Sequence, residues 1–173
     1  MKSTSWFILA LLTLFALQRF KDSGGPPTNQ QAPEISAKLA SGELFKLSEH
    51  KGQVVLLDFW ATWCPPCRAS LPALSEVRAH YQGDERVWVG TVNKERLPTT
   101  RLSAFFKQLK VTLPIVLDNS GRINARYQVS ALPTMVIIGK DGLVKRTQVG
   151  LPYSDTEALK RHLIKLIEQE KAR

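Results

Sequence analysis

The chain's only two cysteines stand as Trp63-Cys64-Pro65-Pro66-Cys67. A pair so spaced can exchange electrons with another disulfide: one thiolate attacks, a mixed disulfide forms, and the second sulfur releases it. It could instead be a structural staple, or half of a metal site. As a staple it would add little, because so short a loop removes little entropy from the unfolded chain. A zinc site needs further ligands, and His50, His80 and His162 have no ligand spacing to one another and read as surface residues. Thiolates also suit Cu(I), so a copper metallochaperone stays as an alternative from a different class.

Placement says more than spacing. Before the pair runs Val54-Val55-Leu56-Leu57-Asp58-Phe59-Trp60, a nearly unbroken apolar stretch bounded by Gly52, which predicts a strand buried on both faces. After it, Leu71, Leu74, Val77 and Tyr81 form the stripe of a helix expected over 64–81. Cys64 would then face unpaired N–H groups and the positive end of the helix dipole, which favours its thiolate as nucleophile. Cys67, one turn deeper, would be the shielded resolving sulfur. Pro65 and Pro66 supply no N–H to the Cys64 sulfur, which weakens that stabilisation and makes the disulfide less oxidising. Arg68 either adds to the thiolate's stabilisation or is a solvated helix charge. Asp58, inside so apolar a strand, should have a raised pKa and could move a proton to or from Cys67; its plain alternative is a strand-end carboxylate reaching water.

The remaining pattern supplies the frame. A small hairpin is expected from 37–40 and 44–47 around Gly42, lying as a lid on one sheet edge. Strands follow at 87–92, 115–117, 134–138 and 143–149, with helices at about 99–109 and 154–171 and a helical turn through Tyr127. Ser154 with Glu157 three residues on gives the last helix a plausible cap. Strand, helix and strand in succession around the cysteines suggest a right-handed parallel crossover, and the sum is an α/β fold with a mixed central sheet flanked by helices.

The segment from Asp58 to Cys67 resembles the active site of the thioredoxin superfamily. Pro72 falls where that family carries a helix proline, and Leu132-Pro133-Thr134 is similar to its cis-proline loop. The resemblance implies a thioredoxin-like fold, a cis bond before Pro133, and substrate contact by the loop of Leu132 and Pro133; Trp63, with Pro65 and Pro66 beside Cys64, offers a contact surface for a protein substrate, the plain alternative for Trp63 being simple packing. It also agrees with an Asp at position 58, and it covers roughly residues 33–170. The N-terminal hairpin, an α/β insertion before the cis-Pro loop and an apolar N-terminus resemble the TlpA/ResA group of membrane-anchored proteins. Those reductases carry a Glu three residues after the second cysteine, where this chain has Ser70. Copper-delivery relatives use a wider cysteine spacing and a helping His, and peroxide-reducing relatives set a Pro and a Thr before a lone Cys; neither pattern occurs here.

Residues 6–17 form an apolar run behind a single Lys2, shorter than the about 20 residues of a full span. With no A-x-A site after it, we read 1–21 as an export signal retained as a membrane anchor, with cleavage and secretion as the alternative. The Ser/Gly/Pro/Asn/Gln-rich stretch 22–33 reads as a flexible linker, leaving 34–173 as the folded domain. The net charge of +9 comes from scattered Lys and Arg with no basic run, which argues against nucleic acid and for anionic lipid or an acidic partner. The expectation is an extracytoplasmic protein-disulfide oxidoreductase on the periplasmic or cell-envelope face, needing no cofactor beyond the Cys64–Cys67 disulfide. Its partners would be proteins with disulfides or thiols and a membrane electron donor or acceptor. Reductase action, with apocytochrome c as the substrate the resemblance suggests, leads; disulfide oxidase action is the alternative.

Overall fold

The computed structural model describes residues 24–173, so the expected anchor at 1–21 lies outside the described residues. Strands β1 (Ser36–Lys38) and β2 (Leu44–Lys46) form the expected hairpin, with Ala37 opposite Phe45. The residues just after β1 carry it onto a sheet edge: Leu39 bridges Val116, and the Ala40 N–H donates to the Ile115 carbonyl at 2.8 Å. A 3-10 turn at Leu47–His50 leads to β3 (Val54–Trp60), whose seven residues are all buried.

Around β3 the chain lays down α1 (Pro65–His80), β4 (Val87–Asn93), α2 (Thr99–Leu109), β5 (Ile115–Leu117), the short α3 (Arg122–Arg126), β6 (Thr134–Ile138), β7 (Val144–Val149) and α4 (Thr156–Lys171). The main sheet has five strands in the order β5-β4-β3-β6-β7, with β3, β4 and β5 parallel and β6 and β7 antiparallel to their neighbours. This is the mixed thioredoxin-like sheet, and α2 and β5 are the helix and short strand read as an insertion before the cis-Pro loop.

Strand alternation divides β3 between two cores. Val54, Leu56 and Trp60 pack with Leu71, Leu74 and Val77 of α1, Leu102 and Phe106 of α2, and Leu159, Leu163 and Ile167 of α4. Val55, Leu57 and Phe59 pack on the opposite face with Ile35, Phe45, Ile123 and Tyr127. Buried on both sides, β3 is the rigid element from whose C-terminal end the cysteine loop emerges.

Several expectations need correction. The α4 cap is Asp155, whose carboxylate accepts from the Ala158 N–H at 2.7 Å; Ser154 lies outside it, and Glu157 pairs with Lys160. His50 is half-buried, stacked on Phe45 and tilted against Trp88, and is not a simple surface residue. Within the stretch read as linker, Asn29 and Ala32 donate to the carbonyls of Val144 and Gly142, and the Thr147 hydroxyl donates to the Pro26 carbonyl. That part of 22–33 is held against β7 and the turn before it.

Candidate active site

At the end of β3, residues 61–63 turn the chain into α1, and the turn makes Cys64 the N-cap of that helix. The Cys64 N–H donates to the Ala61 carbonyl at 3.2 Å. Pro65 and Pro66 occupy the first two helical positions, where a missing N–H costs nothing to the helix. The first N–H available to the N-cap sulfur is therefore that of Cys67, which donates to Cys64 Sγ at 3.3 Å. Cys64 and Cys67 are joined as a disulfide with their Cα atoms 5.3 Å apart.

Both cysteines are buried, so Cys64 is more covered than the exposed position expected of it. Cys67 is 0% exposed and Cys64 3% exposed. Cys64 forms the floor of a surface groove of about 340 Å³ whose walls are Trp63, Pro65, Pro66, Lys94 and residues 129–132. Trp63, 65% exposed, is not packing against the core, which removes that alternative for it. Arg68 lies with its guanidinium 5.8 Å from the centroid of the Phe105 ring, a cation–π contact on the helix surface.

The Leu132–Pro133 bond is cis. The loop holding it is tied at both ends: the Thr134 hydroxyl donates to the Ala131 carbonyl at 2.8 Å, and the Gly150 N–H to the Pro133 carbonyl at 2.8 Å. Because β6 neighbours β3 in the sheet, this loop enters beside the end of β3 and forms one wall of the Cys64 groove. Ser70, in the place of the group's Glu, is buried and spends its hydroxyl on the Cys67 carbonyl at 2.9 Å.

Asp58 shares the α1 face of β3 with Leu56 and Trp60, the face that also receives Cys67. It is 0% exposed, so the solvent-reaching alternative does not hold. Neither carboxyl oxygen has a hydrogen-bond partner among the described residues. Its registered neighbours explain this: Thr91 gives its hydroxyl to the Pro114 carbonyl, and Met135 is apolar. Burial without a partner pushes the Asp58 carboxyl well above the usual range.

Glu95 is a residue that the sequence did not single out. Its carboxylate accepts from the Thr62 N–H at 2.6 Å, the Thr62 hydroxyl at 2.9 Å and the Asn93 amide at 3.2 Å. It thereby fastens the loop after β4 to the loop that delivers Cys64. The three histidines are scattered, and among the described residues no cluster of His, Cys, Asp and Glu could hold a metal ion.

Known proteins are similar to this chain in sequence and fold. The sequence pattern of the AhpC/TSA family matches residues 28–147. The thioredoxin-like protein YneN of Bacillus subtilis is 37% identical over 130 residues, covering 75% of this chain and 76% of that one. The thiol-disulfide oxidoreductase ResA of Geobacillus thermodenitrificans is 30% identical over 162 residues, covering 90% and 91% of the two chains. Among solved structures, StoA from Bacillus subtilis superposes with a TM-score of 0.61 at 31% identity, covering 75% of this chain and 96% of its own.

Proposed function

Since the chain belongs to the AhpC/TSA family as one of its thiol-disulfide oxidoreductases, we propose that it reduces protein disulfides outside the cytoplasm. The observation that carries this reading is Cys64 at the mouth of α1, lining a groove walled by the cis-Pro loop, with Cys67 sealed one turn behind. In the reduced protein the Cys64 thiolate attacks one sulfur of a substrate disulfide. The substrate S–S bond breaks, a mixed disulfide forms, and one substrate thiolate leaves. Cys67 then loses its proton and attacks Cys64, restoring the Cys64–Cys67 bond and releasing the second substrate thiolate, which takes up a proton. Two electrons pass from the protein to its substrate.

Asp58, on the α1 face of β3, would take the Cys67 proton, since a carboxyl whose pKa is raised by burial is better matched to a thiol than an ordinary one. Trp63, Pro65, Pro66, Leu132 and Pro133 would hold the substrate chain. A membrane dithiol donor would return two electrons and two protons, and residues 6–17 would keep the protein at that membrane. Apocytochrome c is the substrate that likeness to the ResA group suggests. Among the described residues no helix is long and apolar enough to cross a membrane, so anchoring rests on the N-terminal sequence alone.

Insulin reduction tests the reading. The wild type should accelerate dithiothreitol-driven insulin precipitation and both Cys64→Ala and Cys67→Ala should not; equal rates with and without the protein would contradict it. Thiol labelling in cells tests direction, because a reductant is held mainly as the dithiol and an oxidase as the disulfide.

A further inference from the structure

The groove above Cys64 is electrically one-sided. Of the side chains that line it, Trp63, Pro65, Pro66, Val129, Ser130, Ala131 and Leu132 are uncharged, and Lys94 carries the one formal charge. Sheet order explains why Lys94 is there. Strand β4 lies on one side of β3 and β6 on the other, so the residue just past β4 and the loop just before β6 flank the sulfur from opposite sides. A substrate chain lying along the cis-Pro wall with its cysteine over Cys64 would therefore run past Lys94 on the other side of the groove.

The ammonium is available for a partner. Lys94 is exposed, and no ion pair among the described residues engages it. The adjacent Glu95 turns its carboxylate inward to Thr62 and Asn93, and Arg96 gives its Nε–H to the Asn119 carbonyl at 2.7 Å. The loop therefore presents Lys94 outward while its acid is held by the active-site loop.

We infer that Lys94 makes this groove selective for polypeptides carrying an Asp or Glu beside the reacting cysteine, an inference that rests on the proposed function and names its substrate class. The chemistry is the exchange already described, with no change in its electron balance: the acidic side chain pairs with the ammonium while the substrate sulfur accepts the Cys64 thiolate. The pair stays wet, so the selectivity is modest, about threefold to fivefold in rate at low salt. It should decline as the screening length falls from about 10 Å at 0.1 M salt to about 3 Å at 1 M.

The test uses the reduced full-length protein and three synthetic disulfide peptides identical except for Glu, Gln or Lys beside one cysteine. Oxidation of the protein is followed by chromatography. The readout is the rate ratio of the Glu peptide to the Lys peptide, so any effect of Lys94 on the Cys64 thiolate itself cancels. Wild type and Lys94→Arg should favour Glu, Lys94→Ala should bring the ratio near one, and Lys94→Glu should invert it. A wild-type ratio of one, or one that survives Lys94→Ala, overturns the inference and leaves the proposed function standing if the Gln peptide reacts. Failure of all three peptides to react overturns the proposed function and this inference with it.

Discussion

Replacing Asp58 by Asn should make the oxidised protein more stable at alkaline pH and leave its stability unchanged in acid. In the unfolded chain Asp58 titrates near the ordinary value of about 3.9. In the fold, burial raises its pKa well above that value. Between those two values the folded state binds the extra proton. Stability conferred by the neutral carboxyl is therefore complete below pH about 4 and lost as pH rises through the folded pKa. Asn is never charged and fits the same space, so it escapes that loss. Either side chain sits there without partners, so the difference between the two proteins is the excess cost of the charged form alone, and an unpaired buried charge costs more than the about 1–3 kcal/mol of a neutral group. A gain on the order of 2 kcal/mol at pH 8.5 follows, or about 6 °C in Tm for a domain of this size. Differential scanning calorimetry of both proteins from pH 3.5 to 8.5 measures it. A Tm difference that does not grow with pH, or an Asn variant less stable at pH 8.5, would refute the reasoning. The same substitution should slow release of substrate from the mixed disulfide by about a hundredfold at neutral pH, as expected on losing a proton acceptor.

Other perturbations separate structure from chemistry. Trp63→Ala should leave stability within about 0.5 kcal/mol, because the ring is exposed, while lowering the insulin reduction rate severalfold. Glu95→Ala should cost about 1–2 kcal/mol in urea unfolding and also slow exchange, since it frees Thr62 from the loop after β4. Asp84 is hydrogen-bonded by Arg86 and Lys171, which hold its carboxyl well below the usual range. Asp84→Asn should therefore destabilise the protein at neutral pH, with the difference from wild type vanishing as pH falls through the depressed pKa. Equilibration with glutathione should give a reduction potential near about −270 mV; one near about −120 mV would mean that Pro65 and Pro66 do not limit thiolate stabilisation.

The parts legible in the sequence were those written in side-chain pattern. The unbroken apolar run of β3 announced a strand buried on both faces, the stripe on α1 announced its packing, and Trp63 to Cys67 announced the chemistry between them. Contacts made by backbone or by distant loops left no such trace. Residues 26–32 bond to β7 and its preceding turn mainly through main-chain groups, so their Pro, Asn and Gln looked like an untethered linker. Glu95 meets Thr62 across 33 positions because β3 and β4 run in parallel with Trp60 opposite Asn93. Before that register is known, Asn93-Lys94-Glu95 is merely a polar stretch after a strand. Asp155 and Ser154 are equally good N-cap residues, and only the hydrogen bond to Ala158 chooses between them.

Trapping on a single sulfur tests the central claim most directly. Cys67→Ala, expressed with its own N-terminus in cells and quenched with acid, should carry disulfide-linked protein on Cys64, seen by non-reducing electrophoresis and mass spectrometry. Cys64→Ala should carry none. Adducts on Cys67 in the second variant, or none on Cys64 in the first, would contradict a nucleophile at the helix mouth backed by a sealed resolving sulfur.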